Sequence, residues 1–292
     1  MSDHVATPDR STGADVPVTA ETARRDAIRA AERSSVTVRD LSGPGELRGL
    51  TELFTITWGS SQAAVPQDLV IAIRHAGGYV GGAFSDNLMT AAGVGFLGRD
   101  PGGPVYLHSH AVGVHPRLQG TGVGLAVKMH QRAWALARGI TEIRWTFDPL
   151  MIRNASFNVG RLGGLPISYL PDFYGELDDD YNRGDHTDRV VLSWKLDQPL
   201  PGRPPFAVAD AVTVVSSDDN APVVHPIPDA PLVRVEIPAG YEQLRRETPG
   251  TALRWRLAYR EVFPRLLDSG YRVVGWDHPR AYLLHREDSG TS

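Results

Sequence analysis

Between residues 106 and 138 the chain reads YLHSHAVGVHPRLQGTGVGLAVKMHQRAWALAR, and the side chains able to do chemistry crowd into its first half. His108 and His110 stand two apart. A strand over residues 106–114 sets Tyr106, His108, His110 and Val112 on one face and turns Ser109 to the other. An imidazole titrates near neutrality, so either histidine can take a proton from an ammonium, directly or through water. His108 ranks ahead of His110 as that base; the bland alternative is a pair of half-buried histidines bonded within a sheet. Ser109 reads as packing, because no Gly-x-Ser-x-Gly elbow surrounds it.

The stretch Gln119-Gly120-Thr121-Gly122-Val123-Gly124 has glycine at every second position, and from Val123 the residues Ala126, Val127, His130, Trp134 and Ala137 recur at helical spacing. A strand, a glycine turn and a helix start in this order make an anion cradle. The first amides of a helix have no intrahelical acceptor, and glycines let a phosphate approach them closely. Two common phosphate motifs fit less well. A P-loop needs Lys-Ser/Thr after its last glycine, where Leu125-Ala126 stand. A dinucleotide fingerprint built on Gly120 and Gly122 needs a third glycine at the position of Leu125.

Val112-Gly113-Val114-His-Pro followed by Gln119, Gly122 and Gly124 resembles the central motif of the GNAT superfamily, the Gcn5-related N-acyltransferases. The resemblance implies acetyl-CoA or another acyl-CoA as co-substrate. Its pyrophosphate would lie on the amides of Gln119, Gly120, Thr121, Gly122, Val123 and Gly124, and its pantetheine arm on Val112, Gly113 and Val114. Further on, Ala155 and Arg161-Leu162-Gly163 match the family's next helix, while Asn154 lies two positions later than the family's asparagine and Val159 fills the slot of its tyrosine acid. Tyr169, Tyr174 and Tyr181 are candidate substitutes, Tyr174 first among them. The phrases LHSH, WTFDPL, RNA, RLG, FYG, YNRG and TDR resemble a branch of GNAT acyltransferases with an extra C-terminal domain, over about residues 35–285.

The totals narrow the choice. The chain has 292 residues, a net charge of −4 and no cysteine, which excludes disulfides, thiol nucleophiles and thiolate metal sites. Without a basic surplus, nucleic acid is not an expected partner. No apolar run reaches membrane length and the N-terminus has no apolar signal core, so a cytoplasmic protein is expected. No metal is expected. Glu176, Asp178, Asp179, Asp180, Asp185 and His186 show no ligand spacing and read as a solvated acidic loop.

The elements follow from periodicity. Residues 1–34 read as a flexible segment with a thin helix over 19–33, loose or used in an oligomer contact such as a homodimer. Next come a strand at 36–40, helices at 44–58 and 67–75, strands at 77–84 and 89–97, the strand and helix above, a strand at 142–147, a short helix at 153–162 and a last strand at 188–196. The fold class expected is α/β (α+β): a GNAT-like mixed, mostly antiparallel twisted sheet flanked by helices over 35–197. A Pro-rich linker at 198–231, with a strand read over 206–215, and a smaller C-terminal α/β domain at 232–292 complete the chain. Trp58 and Trp145 read as core before they read as an acceptor pocket. The function expected is acyl transfer from acyl-CoA to a small-molecule amine without a covalent enzyme intermediate. The alternative is a catalytically degenerate GNAT module acting as an acyl-CoA sensor or scaffold.

Overall fold

The computed structural model describes residues 17–59, 65–175, 184–202 and 207–286; residues 1–16, Glu176, Asp178, Asp179, Asp180 and Tyr181 lie outside them. The described chain opens on α1 (Ala20–Arg33), capped by the Thr19 hydroxyl, which accepts from the Thr22 amide at 3.2 Å. Then follow β1 (Thr37–Asp40), α2 (Pro44–Trp58), α3 (Gln67–His75), β2 (Tyr79–Ser85), β3 (Leu88–Arg99), β4 (Val105–Val114) and α4 (Val123–Leu136). After α1, this is the element order the GNAT resemblance implies. The first sheet is completed by β5 (Glu142–Phe147), α5 (Ile152–Ala155) with a π-helical continuation at Ser156–Arg161, β6 (Leu165–Leu170) and β7 (Arg189–Lys195).

The sheet runs β1-β2-β3-β4-β5-β7-β6, and every neighbouring pair is antiparallel except β4 and β5. The β2–β3 hairpin turns on Asp86 and Asn87, both at positive φ (48° and 64°), the twist a tight hairpin requires. The edge strand β6 has no counterpart in the sequence reading. Pro166 masks it, and the structure accommodates that proline at an edge, beside a register shift between Pro166 and Ser168.

The helix expected over 19–33 is packed on this chain's own α4. Ala23, Ala27 and Ala30 are buried, and Ala27 and Ala30 share a cluster with Leu125, Ala126 and Met129 of α4. Small side chains let the two helices approach closely. Between α1 and the sheet, α4 is buried on more than the one stripe its spacing announces: Lys128, Gln131 and Arg132 are buried along with Val123, Ala126, Val127 and Trp134. Arg132 turns back to the carbonyls of Leu196 and Gln198.

The second sheet, β11-β12-β10-β8-β9, is built from β8 (Val212–Asp218), β9 (Ala221–Val224), β10 (Leu232–Glu236), β11 (Arg272–Asp277) and β12 (Ala281–His285), with α6 (Tyr241–Glu247) and α7 (Pro249–Asp268) beside it. It begins inside the stretch read as linker. β8 pairs parallel to β10, and β9 returns through Asp219 and Asn220, both at positive φ. The strand read over 206–215 overlaps the start of β8, while polar residues and Pro222 had hidden β9. The two sheets share one continuous apolar core that runs from Ala27 through Trp145 and Trp194 to Phe263 and Tyr282. On α7, the fully buried Arg256 bonds Asp148 at 2.6 Å and Asp185 at 2.7 Å. Tyr282 donates to the Pro149 carbonyl at 2.9 Å. The second sheet is therefore seated on the end of β5.

Candidate functional site

β4 and β5 are paired only at Leu107–Ile143 and His108–Arg144, although β4 continues to Val114 and β5 to Phe147. Beyond those pairs the strands part. On its other edge β4 stays paired with β3 up to Val114. Amides alternate in direction along an antiparallel strand, so those of residues 109–114 that do not face β3 face the gap. The residues read as pantetheine-binding, Val112, Gly113 and Val114, lie on this free edge.

A bulge changes what β4 presents. Its register against β3 shifts between Val94 and Gly95, opposite Ala111 and Ser109, leaving His110 as the extra residue. Leu107 and Ser109 face α4 before the bulge, and Val112 and Val114 pack with Val123 and Val127 of α4 after it. Ala111 and Gly113 pack toward α2, where a side chain on Gly113 would meet the Phe54 ring. Val112 thus does not share a face with His108 and His110, as strict alternation implied. A single inserted residue reverses the pattern, and period counting cannot see it.

His108 and His110 do lie together. Phe96 on β3 stacks on His108 with ring centres 4.8 Å apart and sits 5.8 Å from His110, while the two imidazoles are 6.3 Å apart. Neither imidazole has a hydrogen-bond partner among the described residues, so the in-sheet bonding of the bland reading is not what holds them. Burial lowers both, helped at His108 by His110 and Lys128, which brings His108 to about 4. Both are therefore neutral at pH 7 and able to accept a proton.

The glycine loop has the backbone its sequence implies. Gly120 and Gly122 sit at φ +84° and +96°, and Gly122 is the residue before the first turn of α4, with no side chain capping that turn. Among the described residues the amides of Gly122, Val123, Gly124 and Leu125 have no acceptor. Gln119 is held in place: Arg153 donates to its Oε1 at 2.8 Å, and its Nε2 donates to the Val114 carbonyl at 3.4 Å. Arg153 was not singled out in the sequence, and only its place next to Asn154 hinted at it. Asn154 itself is exposed on α5. Thr121 bonds the Leu118 carbonyl at 2.7 Å. The result is a cluster of free donors at the positive end of a helix, next to the mouth of the strand gap.

Tyr174 reaches the other arm of the gap. Its hydroxyl lies 2.9 Å from Thr146 Oγ1 on β5, and Phe173 packs edge-on at 4.7 Å. Tyr169 is buried and donates to Asp188 at 2.6 Å, a structural bond. Val159, in the tyrosine slot, is buried and apolar. Asp185 is held by Arg256 and by the Tyr241 hydroxyl, and His186 faces Asp172 at 2.9 Å. Trp58 packs on Phe54.

One group was missed. Lys128 is buried beneath the gap, its Nζ donating to Ser109 Oγ at 2.9 Å and lying 3.8 Å from the centre of the Trp145 ring. Its charge on an apolar helix read only as composition, and nothing in the sequence revealed that this face of α4 would lie against Ser109 and Trp145.

No protein-family model matches the chain, and no curated protein matches it. Similar solved structures include the ribosomal-protein-S18-alanine N-acetyltransferase of Escherichia coli (12% identity, 59% of this chain and 99% of that one, TM-score 0.46). Others are the Salmonella typhimurium protein yncA with its cofactor acetyl-CoA (17%, 59% and 99%, TM-score 0.46) and Arabidopsis thaliana Naa50 with a bisubstrate analogue, CoA-Ac-MVNAL (17%, 55% and 97%, TM-score 0.43). At such identities and scores the likeness carries no functional argument, which rests on the geometry of the gap and the loop.

Proposed function

We propose that the protein is an acyl-CoA-dependent N-acyltransferase that passes an acetyl or larger acyl group to a small-molecule amine. The observation that carries this reading is the uncapped start of α4, Gly122 to Leu125, opening beside the parted ends of β4 and β5. A pyrophosphate on those amides directs a pantetheine arm along the free edge of β4, and the thioester then lies near the first unpaired residues. Backbone donors on that edge stabilise the oxyanion as the amine attacks. The neutral imidazoles of His110 and His108 take the proton that the acceptor ammonium must lose, with Tyr174 and Thr146 lining the opposite arm.

Direct transfer fits the residues present, since no cysteine exists and Ser109 Oγ is committed to Gln131 and Lys128. The test is release of CoA thiol from acetyl-CoA and succinyl-CoA over a panel of small amines. The reading expects amine-dependent release with no mass added to the protein. Amine-independent release, or none with any amine, contradicts it. The absence of cysteine makes a thiol reagent report CoA alone.

A further inference from the structure

Ser109 and Trp145 are the residues that would have faced each other next, had β4 and β5 stayed paired beyond His108 and Arg144. Lys128 Nζ touches both, at 2.9 Å and 3.8 Å. The ammonium thus stands where the strands first part. It is buried with no carboxylate within ion-pair distance among the described residues. An ammonium has three N–H donors. One goes to Ser109 Oγ, whose own proton is given to Gln131 Oε1 at 3.1 Å, and the Trp145 ring covers another side. The remaining donor has no acceptor among the described residues. A buried cation left short of partners is costly unless something else calls for it.

We infer that Lys128 completes its hydrogen bonding with the sulfur of bound CoA, stabilising the departing thiolate and giving it a proton. This rests on the acyl-CoA reading above, which brings the thioester sulfur to the first unpaired residues of the gap. In the transfer step the acceptor nitrogen bonds to the acyl carbon and the carbon–sulfur bond breaks. A proton moves from Lys128 to sulfur, leaving CoA thiol and a neutral amine on Lys128. The proton shed by the acceptor nitrogen passes through His110 or His108 to solvent, and Lys128 recovers one from solvent as products leave. The step fills the role left empty by Val159.

The surroundings suit a proton donor. Burial pushes Lys128 down to about 7, so the ammonium gives up its proton within reach of neutral pH. From β4, His108 adds a like influence when charged, while β5 and β7 present Trp145 and Trp194. On α4, Gln131 is neutral, and Arg132 is engaged by the Leu196 and Gln198 carbonyls.

The experiment is a spectroscopic titration of the CoA thiol in its complex with the full-length protein, read from thiolate absorbance. The desulfo-CoA complex is subtracted to remove tyrosine ionisation. With no cysteine in the chain, the remaining signal belongs to CoA. The expected result is a bound thiol that titrates about one unit or more below free CoA measured alongside, with the shift lost in Lys128→Met. A native complex whose thiol titrates like free CoA overturns the inference without reference to any variant. Equal shifts in native and Lys128→Met complexes overturn it too. Should Lys128→Met not fold, Ser109→Ala serves: loss of the orienting hydroxyl is expected to shrink the shift, and an unchanged one counts against Lys128. If the native protein binds no CoA, the acyl-CoA reading itself falls, and this inference with it.

Discussion

Lys128 Nζ lies 3.8 Å from the centre of the Trp145 ring, so a buried cation from α4 is held against the strand that parts from β4. The contact offsets part of the charge's lost hydration but leaves no counter-charge. Lys128 has a folded pKa of about 7, well below that of a lysine in an unfolded chain. Between about pH 7 and 10 the unfolded state binds more protons, so stability rises with pH across that window and falls as pH drops through it. Native protein is expected to gain on the order of 2 kcal/mol of unfolding free energy from pH 7 to 9 relative to Lys128→Met. Urea midpoints at the two pH values check this, and parallel curves would refute it.

The two left-handed glycines of the loop differ in what a side chain would meet. At Gly122 a Cβ comes 2.8 Å from Ser34 Oγ, whereas at Gly120 the space is open. Gly120→Ala is expected to cost about 1 kcal/mol, the left-handed backbone penalty alone. Gly122→Ala is expected to cost about 2 kcal/mol, part of which Ser34→Ala restores. Equilibrium unfolding of the four proteins distinguishes the terms.

Arg256 joins the two sheets as a buried cation facing Asp148 and Asp185. Arg256→Met removes the cation shared by two carboxylates, Asp185 keeping Arg245 and the Tyr241 hydroxyl and Asp148 the Leu150 amide, and is expected to destabilise by about 3 kcal/mol. Trp145 and Trp276 on the two sheets give fluorescence probes once the other tryptophans are replaced. Their transitions should move together; an undisturbed Trp145 transition would show that the second sheet unfolds on its own.

Acid stability centres on Glu142. Burial alone would raise its carboxyl, but hydrogen bonds from Arg144, Lys195 and Ser193 hold it at about 2. Its folded value lies below the unfolded one, so its stabilisation is present above about pH 4.5 and fades as pH falls toward 2. Glu142→Gln should be less stable at pH 7 and lose less between pH 5 and 3. An unaltered acid limb in unfolding curves would count against that assignment.

For His108 and His110, the double His108→Ala/His110→Ala protein is expected to lose about 100-fold in kcat with an accepted amine while its CoA affinity stays unchanged. Turnover at the native rate would remove the histidines from the proton path.

Much of this was legible beforehand. The 3.6-residue period placed α2 and α3 at their observed bounds, and alternation with Asp86-Asn87 placed the β2–β3 hairpin. The glycine loop was readable because positive φ and close approach leave few other choices. What stayed hidden depends on tertiary contacts. The bulge at His110 moves Val112 to the far face, Pro166 disguises β6, and β9 is stabilised by pairing with β8 rather than by its own composition. Lys128 was hidden most fully, because its burial against Ser109 and Trp145 depends on how α4 seats on the sheet.

The most direct measurement is calorimetric titration of the purified protein with acetyl-CoA, succinyl-CoA, CoA and ATP, repeated with Gly122→Glu/Gly124→Glu. Micromolar binding of a CoA species in preference to ATP, abolished in the doubly substituted protein, is the expected result. No heat with any CoA species from folded native protein would contradict the account and leave the glycine loop an ordinary turn.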